Sequence, residues 1–148
     1  MSSLSLAQHA VRLHTVLERP IAEVLKQHGL SRGELDVLGA LASGGDARPQ
    51  ELSSQLLLTT GGLSNILRRL ENDGHVTREA SRTDARSSIV RLTAQGEEVA
   101  WKTGAAVTEV IERALAAVDP SVVEAADDHL HRVLVALDED DPVHRTFS

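Results

Sequence analysis

The 148-residue chain has no cysteine and no tyrosine, and only one tryptophan, one phenylalanine and one methionine. Without cysteine, disulfides, thiolate metal sites and cysteine redox sensing are excluded. With Trp101 and Phe147 as the only aromatics, the core has to be built from Leu, Val, Ile and Ala, a composition that favours helices. Long apolar runs are also missing: nowhere do about 18 apolar residues follow one another, as a membrane-spanning helix requires. The first residues, MSSLSLAQHAVRLH, lack the charged start and unbroken apolar stretch of a leader. The expectation is a soluble, unprocessed, cytoplasmic protein. No nucleophile elbow, phosphate loop, HExxH or paired-carboxylate motif is present, so neither an enzyme nor a cofactor is expected.

Positive charge is scarce overall but concentrated. The formal net charge is -7. Residues 61–92 nonetheless hold Arg68, Arg69, Arg78, Arg82, Arg86 and Arg91 against Glu71, Asp73, Glu79 and Asp84, a local excess of two positive charges. Residues 93–148 hold four basic and twelve acidic side chains. The field that steers a polyanion is set by charges near the contact and is screened beyond roughly 8 to 10 Å in physiological salt. An acidic total is therefore compatible with a nucleic-acid partner.

Apolar spacing of three or four at Leu6, Ala10, Leu13, Leu17, Ile21 and Val24 predicts a first helix over 4–28, kinked or divided near Arg19 by Pro20. Gly29 ends it. Ser31 with Glu34 three residues on forms a capping-box pattern for a second helix over roughly 32–42. Pro49 opens a short third helix carrying Leu52, Leu56 and Leu57, and a tight polar turn leads to a fourth. There Thr59 and Thr60 can cap, Leu63, Ile66, Leu67 and Leu70 recur at helical spacing, and Asp73-Gly74 stops the run. Val76–Ala80 and Ser88–Leu92 read as a hairpin joined by a polar loop of seven residues. Thr93 can cap a long helix with the stripe Val99, Thr103, Ala106, Val107, Val110, Ile111, Ala114, Leu115 and Val118. Asp119-Pro120 starts a last helix with Val123, Ala126, Leu130, Val133, Leu134 and Leu137 inward, and an acidic tail follows over 138–148.

Helix, short helix, helix, hairpin and long helix in this order make a mainly α fold with a small β wing, a winged helix-turn-helix flanked by terminal helices. The string Leu70-Glu71-Asn72-Asp73-Gly74-His75-Val76-Thr77-Arg78, then Asp84-Ala85-Arg86, then Ile89-Val90-Arg91-Leu92-Thr93-Ala94-Gln95-Gly96, resembles the MarR family of bacterial transcription regulators. That family's pattern is an LE-x-x-G-x-V-x-R helix end, a D-x-R wing tip and a closing v-x-L-T-x-x-G. The resemblance runs from about Leu30 to Gly96, and His75 stands where the family usually has an aliphatic residue. It implies one domain, with a DNA-binding core over about 31–96 and dimerisation helices over 4–28 and 94–137.

With the four apolar positions of the fourth helix turned inward, Thr60, Gly61, Ser64, Asn65, Arg68 and Asn72 face outward. The amide of Asn65 suits adenine and the guanidinium of Arg68 suits guanine in a major groove. The first turn, with Gly61 and Gly62, offers free N–H groups to a phosphate. Arg69 fits a DNA contact and a solvated helix face about equally. Arg82 and Arg86 lie near the tip of a narrow hairpin suited to a minor groove, Asp84 can hold Arg86, and Ser87 and Ser88 can donate to phosphate. In the family, the arginine matching Arg86 enters the minor groove and the aspartate positions it. Each has a plain rival: a solvated helix face for Arg68, a surface ion pair for Asp84 and Arg86, and a cap alone for Thr59.

The reading is a homodimeric, sequence-specific regulator of double-stranded DNA with a near-palindromic operator, most simply a repressor released by a small molecule. Dimerisation is expected because the terminal helices carry more apolar surface than one small domain covers. The family takes anionic aromatic or lipophilic effectors between its dimer helices and winged domain; no effector-binding residue is assigned from this sequence. Two alternatives stay open: a zinc-responsive sensor using some of the seven histidines, and a winged-helix protein-interaction module. Neither His9 with His14 nor His129 with His131 has good ligand spacing on a helix, so no metal site is assigned.

Overall fold

The computed structural model describes residues 2–80, 82–83 and 87–139. In chain order these form α1 (Ser3–His28), α2 (Arg32–Gly44), α3 (Pro49–Gln55), α4 (Thr60–Asn72), β1 (Val76–Ala80), β2 (Ser88–Leu92), α5 (Ala94–Leu115) and α6 (Pro120–Ala136). The core is aliphatic, as the composition requires. Leu35, Leu38 and Leu41 of α2 meet Leu52 of α3, Leu63, Leu67 and Leu70 of α4, Val76 and Val90 of the hairpin and Ala100 of α5.

The start of α1 to α2 follows from local chemistry. Leu30 N donates to Leu25 O (3.0 Å) and Gly29 N to Lys26 O (3.2 Å), the paired bonds that end a helix and turn the chain. Ser31 Oγ accepts from Glu34 N (3.1 Å) while Glu34 Oε2 accepts from Ser31 N (2.8 Å), the reciprocal cap read from the sequence. Glu34 is buried, and its other oxygen lies 3.7 Å from Arg69 Nε on α4. One carboxylate thus starts α2 and ties it to α4.

Pro20 does not divide α1, which is a single helix from Ser3 to His28. Proline removes one backbone donor and crowds the preceding turn. The packing of Leu17, Ile21 and Leu25 against the core, chiefly through α5, holds the helix on both sides of that defect.

The turn between α3 and α4 is also not the polar one expected. It contains Leu56, Leu57 and Leu58, with Leu57 in the left-handed conformation (φ 53°) and 78% exposed. Leu56 and Leu58 are half-buried against the core, so the flanking leucines anchor the turn and Leu57 carries its reversal. A left-handed leucine costs about 1 to 2 kcal/mol, which the two anchors offset.

The hairpin pairs Val76 with Leu92, Thr77 with Arg91, Arg78 with Val90, Glu79 with Ile89 and Ala80 with Ser88. Ala47 extends it: its N–H donates to Val90 O (3.1 Å) and its carbonyl accepts from Val90 N (2.8 Å). The segment before α3 is therefore stitched to the wing.

The junction of wing and α5 explains the closing L-T-x-x-G string. Thr93 Oγ1 accepts from Gly96 N (3.0 Å), capping α5, and donates to Gly74 O (2.6 Å), while Thr93 N donates to His75 O (3.1 Å). A Cβ placed on Gly96 would stand 1.9 Å from His75 O. Only glycine allows this backbone approach.

The terminal helices leave much apolar surface open. Leu4, Leu6, Val11, Leu13 and Val16 of α1 are exposed, and α6 buries none of its residues. Of the six positions expected inward on α6, Val123 and Leu134 are half-buried, whereas Ala126, Leu130, Val133 and Leu137 are exposed. No described residue covers the exposed ones. Asp119 caps α6 by accepting from Ser121 N (2.8 Å) and Ser121 Oγ (2.6 Å), which holds its carboxyl below the usual carboxylate range. No helix among the described residues is long and apolar enough to cross a membrane.

Candidate nucleic-acid interface

Helix α4 is built to present one face. Thr59 Oγ1 accepts from Gly62 N (3.1 Å) to start it, and Leu63, Ile66, Leu67 and Leu70 are buried. Gly33 of α2 faces Ile66 closely enough that a Cβ there would stand 2.6 Å from Ile66 Cδ1, so the two helices are in tight register. The opposite face holds Thr60, Gly61, Ser64, Asn65, Arg68 and Asn72, all exposed. A Cβ on Gly61 would meet nothing within 4 Å, so its backbone lies open to an incoming group. Asn65 and Arg68 are one turn apart, and Arg68 Nη2 donates to Asn65 Oδ1. This contact leaves the Asn65 amide donors and the rest of the guanidinium fork pointing outward from one patch.

The six arginines of the sequence's positive stretch divide by environment. Arg69 is turned toward the buried Glu34, and Arg78 Nε lies 3.6 Å from Glu71 Oε2. Arg91 Nε donates to Asp46 Oδ2 (2.8 Å) and its Nη1 lies 3.7 Å from Glu79 Oε1. The hydrogen bond and charge of Asp46, then the charge of Glu79, raise the Arg91 pKa above its ordinary value. Arg91 thereby ties β2 to the segment before α3 and fixes the wing's angle together with the Ala47 bridge. Arg82 is exposed beyond the end of β1. Asp84 and Arg86 lie outside the described residues. Ser87 and Ser88 are half-buried at the root of the hairpin.

Between α3, α4 and that root lies a cleft of about 530 Å³, whose lining includes Arg48, Gln50, Ser53, Ser64, Arg78 and Ser88 and, among the described residues, no carboxylate. Arg48, Gln50 and Ser53 were not among the residues read from the sequence as site residues. Arg48 lies outside the arginine-rich stretch, and its only local signal is its place just before the helix-opening Pro49. Elsewhere, His28 Nδ1 and His129 Nδ1 bond to carbonyls one turn back, Val24 O (2.9 Å) and Ala125 O (2.6 Å). Among the described residues no three His, Cys, Asp or Glu side chains gather as metal ligands.

These elements define a winged helix-turn-helix protein, with an exposed polar helix face beside a two-stranded wing. The family model described as MarR family matches residues 28–87. An HTH-type transcriptional repressor of Mycobacterium bovis is 31% identical over 105 residues, covering 71% of this chain and 76% of that protein. The chain belongs to the MarR family of transcriptional regulators. Its matched segment spans between about half and two thirds of the length of the first curated relatives. In fold it is similar to a variant of E. coli MarR in complex with operator DNA, with a TM-score of 0.78 and 22% identity, covering 88% of this chain and 94% of that one. It is likewise similar to NadR in complex with 4-hydroxyphenylacetate, with a TM-score of 0.72 and 23% identity, covering 90% of this chain and 93% of that one.

Proposed function

We propose that this protein is a sequence-specific regulator of transcription that binds double-stranded DNA as a homodimer in the bacterial cytoplasm and represses until a small molecule releases it. The observation that carries the reading is the single exposed face of α4, where Thr60, Gly61, Ser64, Asn65 and Arg68 stand together beside the wing. In this reading Ser64, Asn65 and Arg68 read the major groove, Thr60 and Gly61 approach the backbone, Arg82 and Arg86, the latter positioned by Asp84, serve the wing's minor-groove contact, and Ser87 donates to phosphate. Arg69, 3.7 Å from Glu34 and still exposed, can add a backbone contact at the edge of this face.

Residues 31–96 act as the DNA-binding core, and 4–28 with 94–137 as the dimer scaffold. The uncovered apolar residues of α1 and α6 support this division, because one copy leaves exposed what a second copy would bury. The complex of NadR with 4-hydroxyphenylacetate supports a small organic effector. Such a ligand shifts DNA binding only as far as it favours one spacing of the two recognition helices over the other.

A two-fold dimer places its recognition helices in major grooves about 34 to 36 Å apart. Footprinting on the DNA upstream of the chain's own gene is expected to show two protected segments one helical turn apart within a near-palindrome. With Leu130→Asp and Val133→Asp together, sedimentation should show a shift from dimer to monomer and the paired protection should be lost. Paired protection that survives in a variant shown to be monomeric would count against the dimer.

A further inference from the structure

Of the three leucines in the turn between α3 and α4, two pack against the core and one does not. Leu56 and Leu58 are half-buried, while Leu57 between them is 78% exposed with φ 53°. Between Val16 and Trp101 it is the one large apolar side chain among the described residues that is exposed. The turn does not need a leucine at this position. Its shape comes from the backbone, where Leu58 N donates to Ser53 O (3.0 Å) and Leu57 N to Ser54 O (3.4 Å), the paired bonds that close a helix on a left-handed residue. Glycine or asparagine would adopt that conformation at less cost and leave both flanking anchors in place. A leucine held in water on a strained backbone adds little to the isolated fold, and strain of this kind gathers at sites of function.

The neighbour of Leu57 is the start of the base-reading helix. Three residues separate it from Thr60, so its Cα lies within about 11 Å of the first residue of α4. Recognition helices enter a major groove by their N-terminal end. Here that end is bare: Gly61 and Gly62 carry no side chain, and a Cβ on Gly61 would meet nothing within 4 Å. The exposed face beyond it offers Thr60, Ser64, Asn65 and Arg68, which suit the hydrogen-bonding groups of bases. The C5 methyl group of thymine is also displayed in the major groove, and it is recognised by apolar contact. We propose that Leu57 makes that contact, packing on the methyl group of one thymine in each operator half-site, with Gly61 and Gly62 leaving it room to reach the bases. The proposal rests on the DNA-binding reading and adds to it a specificity-determining residue that lies outside the helix.

The test pairs a change in the protein with a change in the DNA. Leu57→Asn keeps a residue that accepts the left-handed conformation, so its thermal midpoint should equal or exceed that of wild type. Replacing thymine by deoxyuridine, one position of the half-site at a time, deletes only the methyl group. At one position this should weaken wild type by about fourfold per half-site, the effect of burying one methyl group. Leu57→Asn should lose about the same factor on the unmodified operator, lose nothing further with deoxyuridine at that position, and bind an unrelated duplex as wild type does. A wild type indifferent to deoxyuridine at every position overturns the contact. So does a Leu57→Asn chain that keeps full operator affinity, or one that stays as sensitive to deoxyuridine as wild type. Equal weakening on both duplexes would make Leu57 a sugar contact, and a shift from dimer to monomer on sedimentation would place it in a subunit interface. Either result overturns the proposal and leaves the DNA reading standing. A wild-type chain that binds neither duplex removes the DNA reading itself, and the thymine contact with it.

Discussion

Gly96→Ala is expected to destabilise the protein by about 3 kcal/mol, at the upper end of what overpacking a tight site costs. For a chain of this length that lowers the thermal unfolding midpoint by roughly 6 to 12 °C. The cause is local and backbone-deep: the added methyl would stand 1.9 Å from the His75 carbonyl oxygen and 2.7 Å from its carbon. Neither atom can swing away as a side chain would, because His75 N donates to Leu70 O (2.8 Å) and His75 O accepts from Thr93 N (3.1 Å). Relief requires α5 to move off the wing, which would also strain the Thr93 cap. Differential scanning calorimetry measures the shift. A midpoint within about 2 °C of wild type would mean that this junction is looser than the structure has it.

The second large effect falls on recognition. Each of Asn65→Ala and Arg68→Ala is expected to weaken operator binding by about 5- to 150-fold, the loss of one base contact of about 1 to 3 kcal/mol. Asn65→Ala should leave affinity for unrelated duplex nearly unchanged, whereas Arg68→Ala also removes a charge and should lower it modestly. Because Arg68 donates to Asn65, the two substitutions are coupled, and the double variant should lose less than the sum of the singles. Arg68→Lys keeps the charge but not the fork, and is expected to behave like Arg68→Ala on the operator. Anisotropy titrations on both duplexes measure all four. Equal affinity of wild type and both single variants for the operator would remove Asn65 and Arg68 from the site.

The parts of the fold that local chemistry dictates were legible in the sequence. The Ser31–Glu34 cap, Pro49 at the start of α3 and the hairpin strands between Gly74 and Thr93 each follow from neighbours within a few residues, and each is found in place. What was not legible depends on partners distant in the chain. Pro20 reads as a break until α5 is seen holding both halves of α1. Ala47 looks like loop until Val90 is placed against it. Leu57 reads as the end of a helix, yet burial of its neighbours Leu56 and Leu58 makes it the reversal of a turn.

The candidate site shows the same division. The outward face of α4 follows from helical period alone, since fixing Leu63, Ile66, Leu67 and Leu70 inward leaves Ser64, Asn65 and Arg68 outside. The arginine count could not say which guanidinium is already engaged. Arg69 has a buried carboxylate beside it from another helix, and Arg91 spans to Asp46. Arg48 enters the cleft only because α3 and the wing are brought together by the Ala47 bridge.

The most direct test of the central claim is the affinity of the wild-type chain for DNA from upstream of its own gene against an unrelated duplex of equal length, at one physiological salt concentration. A winged helix that reads bases through α4 should prefer its operator by about 10³-fold or more. Equal affinity for the two duplexes, or none for either, would contradict it.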